Sequence, residues 1–212
     1  IIFSIFIFLT NSLLADELDE ALLSTDTYIS YDYDAKSIMY ENNSSNSISP
    51  ASLTKLMTAL LLYESNALSK QIITRLPKDY VFSGKVAYLE EGLILTTEEL
   101  LELLLVYSAN DAAYVAAMDI STNIDEFINL MNLRAKQLGM NNTEYKNPDG
   151  LDELGHQTTL NDLLILSIYI IENTKILDIT SKEKIYINQL DKKSFNNTNT
   201  IINEGFEGLK TG

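Results

Sequence analysis

A largely apolar stretch of the chain runs from Leu53 to Leu62, broken only by Thr54, Lys55 and Thr58. It follows Ser49-Pro50, and serine at a cap with proline in the first turn is a helix-opening signal. A helix over Ser49–Glu64 is therefore expected. A helix hydrophobic all round is buried, which leaves Lys55 as a cation in a core helix, one turn from Ser52 on the same face. Burial lowers an ammonium pKa, and a lysine so tuned can take a proton from a neighbouring hydroxyl.

Upstream, Thr27–Tyr33 and Ser37–Tyr40 are β-rich runs joined by Asp34-Ala35-Lys36, the pattern of a hairpin. Downstream, Thr96-Thr97-Glu98-Glu99 reads as a capping box ahead of an apolar helix to about Tyr107. Ser108-Ala109-Asn110-Asp111 breaks that helix, and a small-residue helix follows over Ala112–Met118. Asn123 with Glu126 opens an amphipathic helix that Gly139 stops. Asn147-Pro148-Asp149-Gly150 is a turn, and Thr159 with Asp162 opens a helix over Leu160–Ile171. Short strands and polar loops are expected from Ile176 to Gly212. Strands, then helices, then strands predict an α/β (α+β) arrangement, with helices packed on an antiparallel sheet.

The N-terminus changes the picture of where the protein works. Ile1–Leu9 is nearly all apolar, and Leu13-Leu14-Ala15 precedes acidic Asp16-Glu17. This matches the apolar region and small-residue cleavage site of an export signal, and it is too short to span a membrane. Residues 1–15 are expected to be part of a signal peptide whose initiating Met and basic region precede Ile1. Residues 16–212 would then be one catalytic domain working outside the cytoplasm. A buried N-terminal strand is the alternative.

Charge and composition narrow the chemistry. Thirty acidic against 15 basic residues give a net charge of −15, which disfavours nucleic acid and anionic lipid as partners. Cysteine is absent and His156 is the sole histidine. That excludes disulfides, thiolate zinc sites, cysteine nucleophiles and histidine-rich metal sites. No metal or cofactor is expected, and lysine is left as a serious candidate for the base. Asp149, Asp152 and Glu153 lack calcium-loop spacing and read as a solvated turn.

Ser-x-x-Lys alone is weak, and a second copy stands at Ser181–Lys184. Ser-x-Asn at Ser108–Asn110 also has copies at Ser44–Asn46 and Ser194–Asn196. Position separates them: Ser52 opens a buried helix, Ser108 breaks one, and Lys210-Thr211-Gly212 completes the order. This ordered set resembles the penicillin-recognising serine enzymes. The segments Gly92–Ala117 and Asn147–Asp162 are similar to the low-molecular-mass D-alanyl-D-alanine carboxypeptidases in particular.

The resemblance implies a β-lactamase/transpeptidase-like fold, with an antiparallel sheet flanked by helices and a helical subdomain. It implies Ser52 as nucleophile toward the penultimate D-alanine of a peptidoglycan stem peptide, with Lys55 as its base. Ser108 would relay a proton to the leaving amine, and Asn110 would hold Lys55 and the substrate amide. Lys210, Thr211 and Gly212 would bind substrate. β-Lactams would acylate Ser52, and His156 would be structural. In this family a strand follows Lys-Thr-Gly and supplies an oxyanion-hole N–H, and membrane anchors lie further on. The domain is thus expected to be incomplete at its C-terminus, and the 212-residue chain alone inactive. Three alternatives remain open. A class A β-lactamase lacks support because no Glu-x-x-Leu-Asn segment is found. A non-catalytic peptidoglycan-binding relative would not need the Ser52 and Lys55 pair. A Ser-His-Asp esterase would need a Gly-x-Ser-x-Gly elbow.

Overall fold

Helix α1, Thr54–Ser65, is the axle of the molecule. A computed structural model describes residues 5–8, 26–191, 194–204 and 208–211. Thr54 to Leu62 are buried without interruption, as an all-apolar helix requires. The preceding turn is a short 3-10 segment, Ala51–Leu53, capped by Pro50 with no side-chain hydrogen bond. Ser49 is therefore not the cap: its hydroxyl donates to Asp152 Oδ1 at 2.8 Å.

The other helices are α2 (Thr97–Leu105), α3 (Asn110–Ile120), α4 (Ile124–Leu138), α5 (Leu160–Asn173) and α6 (Ile176–Thr180). Helices α2 to α5 all pack against α1. Their starts follow local chemistry. Thr96 and Glu99 form the reciprocal capping box of α2. Asn123 and Thr159 cap α4 and α5 by accepting from Glu126 N and Asp162 N. Gly139 ends α4 at φ 88°, a left-handed conformation that glycine adopts without penalty.

Strands β2 (Tyr28–Asp32) and β3 (Ser37–Asn42) form the expected antiparallel hairpin, with a register shift between Ser30 and Tyr31. Strand β1 (Ile5–Phe8) pairs with β2 in parallel, and the remainder of residues 1–15 lies outside the described residues. Strands β4 (Gln71–Ile73) and β5 (Ile94–Thr96) pair antiparallel, as do β6 (Lys184–Tyr186) and β7 (Ser194–Asn196). Among the described residues the strands thus form three small sheets rather than one. Two local expectations are corrected. Ile176–Thr180 is helical, because Ile176 and Ile179 both turn into the core. Ser194–Asn196 is a strand that buries Phe195, where a polar loop was expected.

Candidate active site

Ser52 sits at the base of α1, where the chain enters the core. Ala51, just before it, has φ 47°, a conformation that costs an L-residue about 1–2 kcal/mol. One turn on, Lys55 is 0% exposed. Its Nζ donates to Ser52 Oγ at 3.3 Å and to the carbonyl of Asp149 at 2.5 Å. Burial holds the ammonium down at about 8, against the opposing charges of Asp149 and Asp111. Lys55 is a base that can be neutral near physiological pH.

Ser108 reaches the same hydroxyl. It lies in the break between α2 and α3 with φ 67°, and its Oγ donates to Ser52 Oγ at 3.4 Å. Non-glycine residues held at positive φ cluster at functional sites. The Ala109 N–H, bonded to Leu103 O at 2.9 Å, and the Asn110 N–H, bonded to Lys85 O at 2.7 Å, fix that break from both sides.

Asn110 is where the structure departs from expectation. Its side-chain nitrogen donates to the Ser83 carbonyl at 2.9 Å, so it secures the 83–85 loop, and the 147–150 turn grips Lys55 instead. That turn is tightly bound to α1. Thr58 Oγ1 donates to Pro148 O at 2.6 Å, and Gly150 N donates to Asn147 Oδ1 at 2.8 Å. Asp149 is 1% exposed, so the solvated-turn reading is wrong for it, although Asp152 and Glu153 are exposed. Burial pushes its carboxyl up, and the Lys55 charge pulls it down.

His156 accepts from Lys146 N at Nδ1 (3.1 Å), so Nε2 carries the proton and donates to Thr54 Oγ1 at 2.8 Å. Burial lowers its pKa. It braces α1 and touches none of the serines by hydrogen bond, as the structural expectation has it. Lys210 is half-buried and held well below the ordinary lysine range by burial and by the charges of Lys55 and Lys85. Thr211 Oγ1 donates to Thr198 Oγ1 at 2.8 Å, and Thr198 N donates to Val106 O at 3.0 Å. The 208–211 segment thus lies beside the Ser108 end of α2. Gly212 falls outside the described residues. The decoy pair stays apart: Ser181 and Lys184 are exposed.

Three residues of the site were missed from sequence. Asp149 sits in a polar turn whose sequence carries no sign of burial, yet it is 1% exposed. Asp111 is fully buried, and its carboxylate accepts from Ala87, Leu89 and Ala112 N–H groups at 3.0, 2.9 and 3.1 Å. An acidic residue in the first turn of a largely apolar helix is the available signal. Gly150, at φ 87°, lets the turn reach Ala51.

Residues 15–212 match the D-alanyl-D-alanine carboxypeptidase family, peptidase S11. This chain belongs to that family. Among curated relatives it is 36% identical over 189 residues to the D-alanyl-D-alanine carboxypeptidase DacF of Bacillus subtilis, covering 84% of this chain and 48% of DacF. Penicillin-binding protein 6B of Escherichia coli has a similar structure, with a TM-score of 0.75, 26% identity, and coverage of 84% of this chain and 59% of that one. Penicillin-binding protein D2 of Listeria monocytogenes, in its cefotaxime-bound form, superposes with a TM-score of 0.71 at 28% identity, over 86% of this chain and 76% of that one. The S11 chain described here spans about half the length of the curated relatives it matches. Its fold is the mixed α/β fold of the penicillin-binding transpeptidases.

Proposed function

We propose that this S11 domain is the catalytic part of a serine-type D-Ala-D-Ala carboxypeptidase. The observation that carries the reading is the fully buried Lys55, with Nζ 3.3 Å from Ser52 Oγ and the Ser108 hydroxyl 3.4 Å from the same oxygen. Ser52 Oγ attacks the carbonyl carbon of the penultimate D-alanine as its proton passes to neutral Lys55. The carbon–nitrogen bond to the terminal D-alanine breaks. The leaving amine takes a proton, relayed from Lys55 by way of Ser108, and free D-alanine departs. Water then attacks the ester on Ser52, gives up a proton to the lysine, and regenerates the hydroxyl. Asn110 ties the 83–85 loop to the start of α3. Lys210 and Thr211 receive the substrate's terminal carboxylate, whose negative charge draws the buried Lys210 amine to its protonated form. Gly212, lacking a side chain, lets the acyl group lie against the strand.

β-Lactams acylate the same Ser52 oxygen, with opening of the lactam ring in place of D-alanine loss. A peptidoglycan substrate calls for work outside the cytoplasm, and residues 1–15 serve as part of the export signal, with Ile5–Phe8 paired to β2 in the uncleaved chain. A membrane anchor, where the whole protein has one, follows the catalytic domain.

The test is D-alanine release from a peptide ending in D-Ala-D-Ala by the whole protein, together with a fluorescent penicillin gel. Activity and a long-lived label are expected, both abolished by Ser52→Ala. Rapid turnover of the penicillin would point to a β-lactamase. No label and no release would point to a non-catalytic binder.

A further inference from the structure

We propose that the carboxylate of Asp149 is a positioning residue for Lys55: acting through its charge from beyond ion-pair distance, it governs how readily the ammonium, held by the Asp149 main-chain carbonyl, releases its proton. The inference rests on the reading of Ser52 and Lys55 as nucleophile and base.

The two buried carboxylates near Lys55 are bonded very differently. Asp111 is saturated by three backbone N–H groups and so has a sufficient structural reason for its place: it pins the 87–89 loop to the start of α3. Asp149 has one long contact, from Leu151 N to Oδ1 at 3.3 Å. Its Oδ2 is buried with no hydrogen-bond partner. A carboxylate taken out of water with an oxygen unsatisfied is costly unless a charge compensates it. Among the described residues, Lys55 is the cation whose charge acts on Asp149. Lys55 already donates to the same residue's carbonyl.

The position is fixed by packing. Gly150 is pressed against Ala51 and Pro148 is tied to Thr58, so the Asp149 side chain has no route to solvent without lifting the turn. The remaining charges around the lysine come from Asp111 on α3 and Lys210 on the 208–211 segment. The phenols of Tyr80 and Tyr114 lie in the field of Asp149 and stay neutral over the working pH range. Burial drives both Lys55 and Asp149 toward their neutral forms, while each draws the other toward its charged form. A pair so balanced gives up a proton with little rearrangement.

Asp149→Asn separates this role from a purely structural one. It keeps the shape, the main-chain carbonyl and the acceptor for Leu151 N–H, and removes only the charge. In the whole protein, the rate of Ser52 acylation by penicillin is measured against pH. The acid limb is expected to move to lower pH in the variant by about half a unit or more, because the ammonium has lost a stabilising charge. Superimposable limbs, whatever the absolute rates, would overturn the proposal. Should Asp149→Asn not fold, Asp149→Ser retains a side-chain oxygen for Leu151 N–H and must show the same displacement. Absence of a Ser52 adduct in the unsubstituted protein is a different result: it would overturn the reading of Ser52 and Lys55, and this inference with it.

Discussion

A β-carbon on Gly150 would lie 1.8 Å from the carbonyl oxygen of Ala51, the residue before Ser52. Two segments 99 positions apart thus meet backbone to backbone, and the contact locks the lysine-gripping turn onto the serine-bearing one. Gly150→Ala must push them apart as well as force alanine into φ 87°. The expected loss is about 2–4 kcal/mol of stability, read by denaturant unfolding, with penicillin labelling reduced more than the folded fraction. Gly84→Ala is the milder control, because its β-carbon meets the movable Asn110 side chain at 2.8 Å.

The depressed pKa of Lys55 has a stability consequence. The folded protein gives up this proton near 8, the unfolded chain at the ordinary lysine value of 10.5. Between those values the unfolded state binds more protons, so stability rises with pH, at up to ~1.4 kcal/mol per unit from this group. Lys55→Met is expected to lack that rise in chemical denaturation from pH 8 to 10. Above pH 10 the slope reverses, because burial holds the phenols of Tyr80, Tyr114 and Tyr145 protonated in the fold while the unfolded chain ionises.

His156→Gln distinguishes a brace from a triad base. Loss of the imidazole bridge between Lys146 N and Thr54 is expected to cost about 1–3 kcal/mol, with Ser52 still acylated. The histidine's folded pKa lies below the ordinary 6.5, so the unfolded state takes up the proton first and stability falls as pH drops through 6.5. That acid-side loss should be smaller in His156→Gln, measured by thermal melts from pH 7.5 to 5.

Ser108 combines strain with a hydroxyl, and two variants separate them. Ser108→Ala keeps φ 67° on a side-chain-bearing residue and removes the hydroxyl. Ser108→Gly removes both and relieves about 1 kcal/mol of backbone strain. Melting curves should place Ser108→Gly no lower than Ser108→Ala, despite glycine's greater unfolded-state entropy. D-alanine release should fall in both.

Features that depend on near neighbours are legible in the chain. The caps at Thr96, Asn123 and Thr159, the Gly139 stop, the β2–β3 hairpin and the burial of α1 all follow from residues within a few positions of one another. The motifs around Ser52, Ser108 and Lys210 are weak one by one, and their order along the chain drew attention to them through its resemblance to a family; of these, the structure brings the hydroxyls of Ser52 and Ser108 and the ammonium of Lys55 together. Tertiary structure alone decided which carboxylates are buried. Asp149 and Asp152 look alike in the chain, yet only Asp149 is held inside, because Gly150 packs on Ala51 and Pro148 on Thr58. It likewise decided that Asn110 turns to Ser83 and that a turn 94 residues away grips Lys55. Such choices rest on desolvation and close contact between distant segments, and no local pattern carries that information.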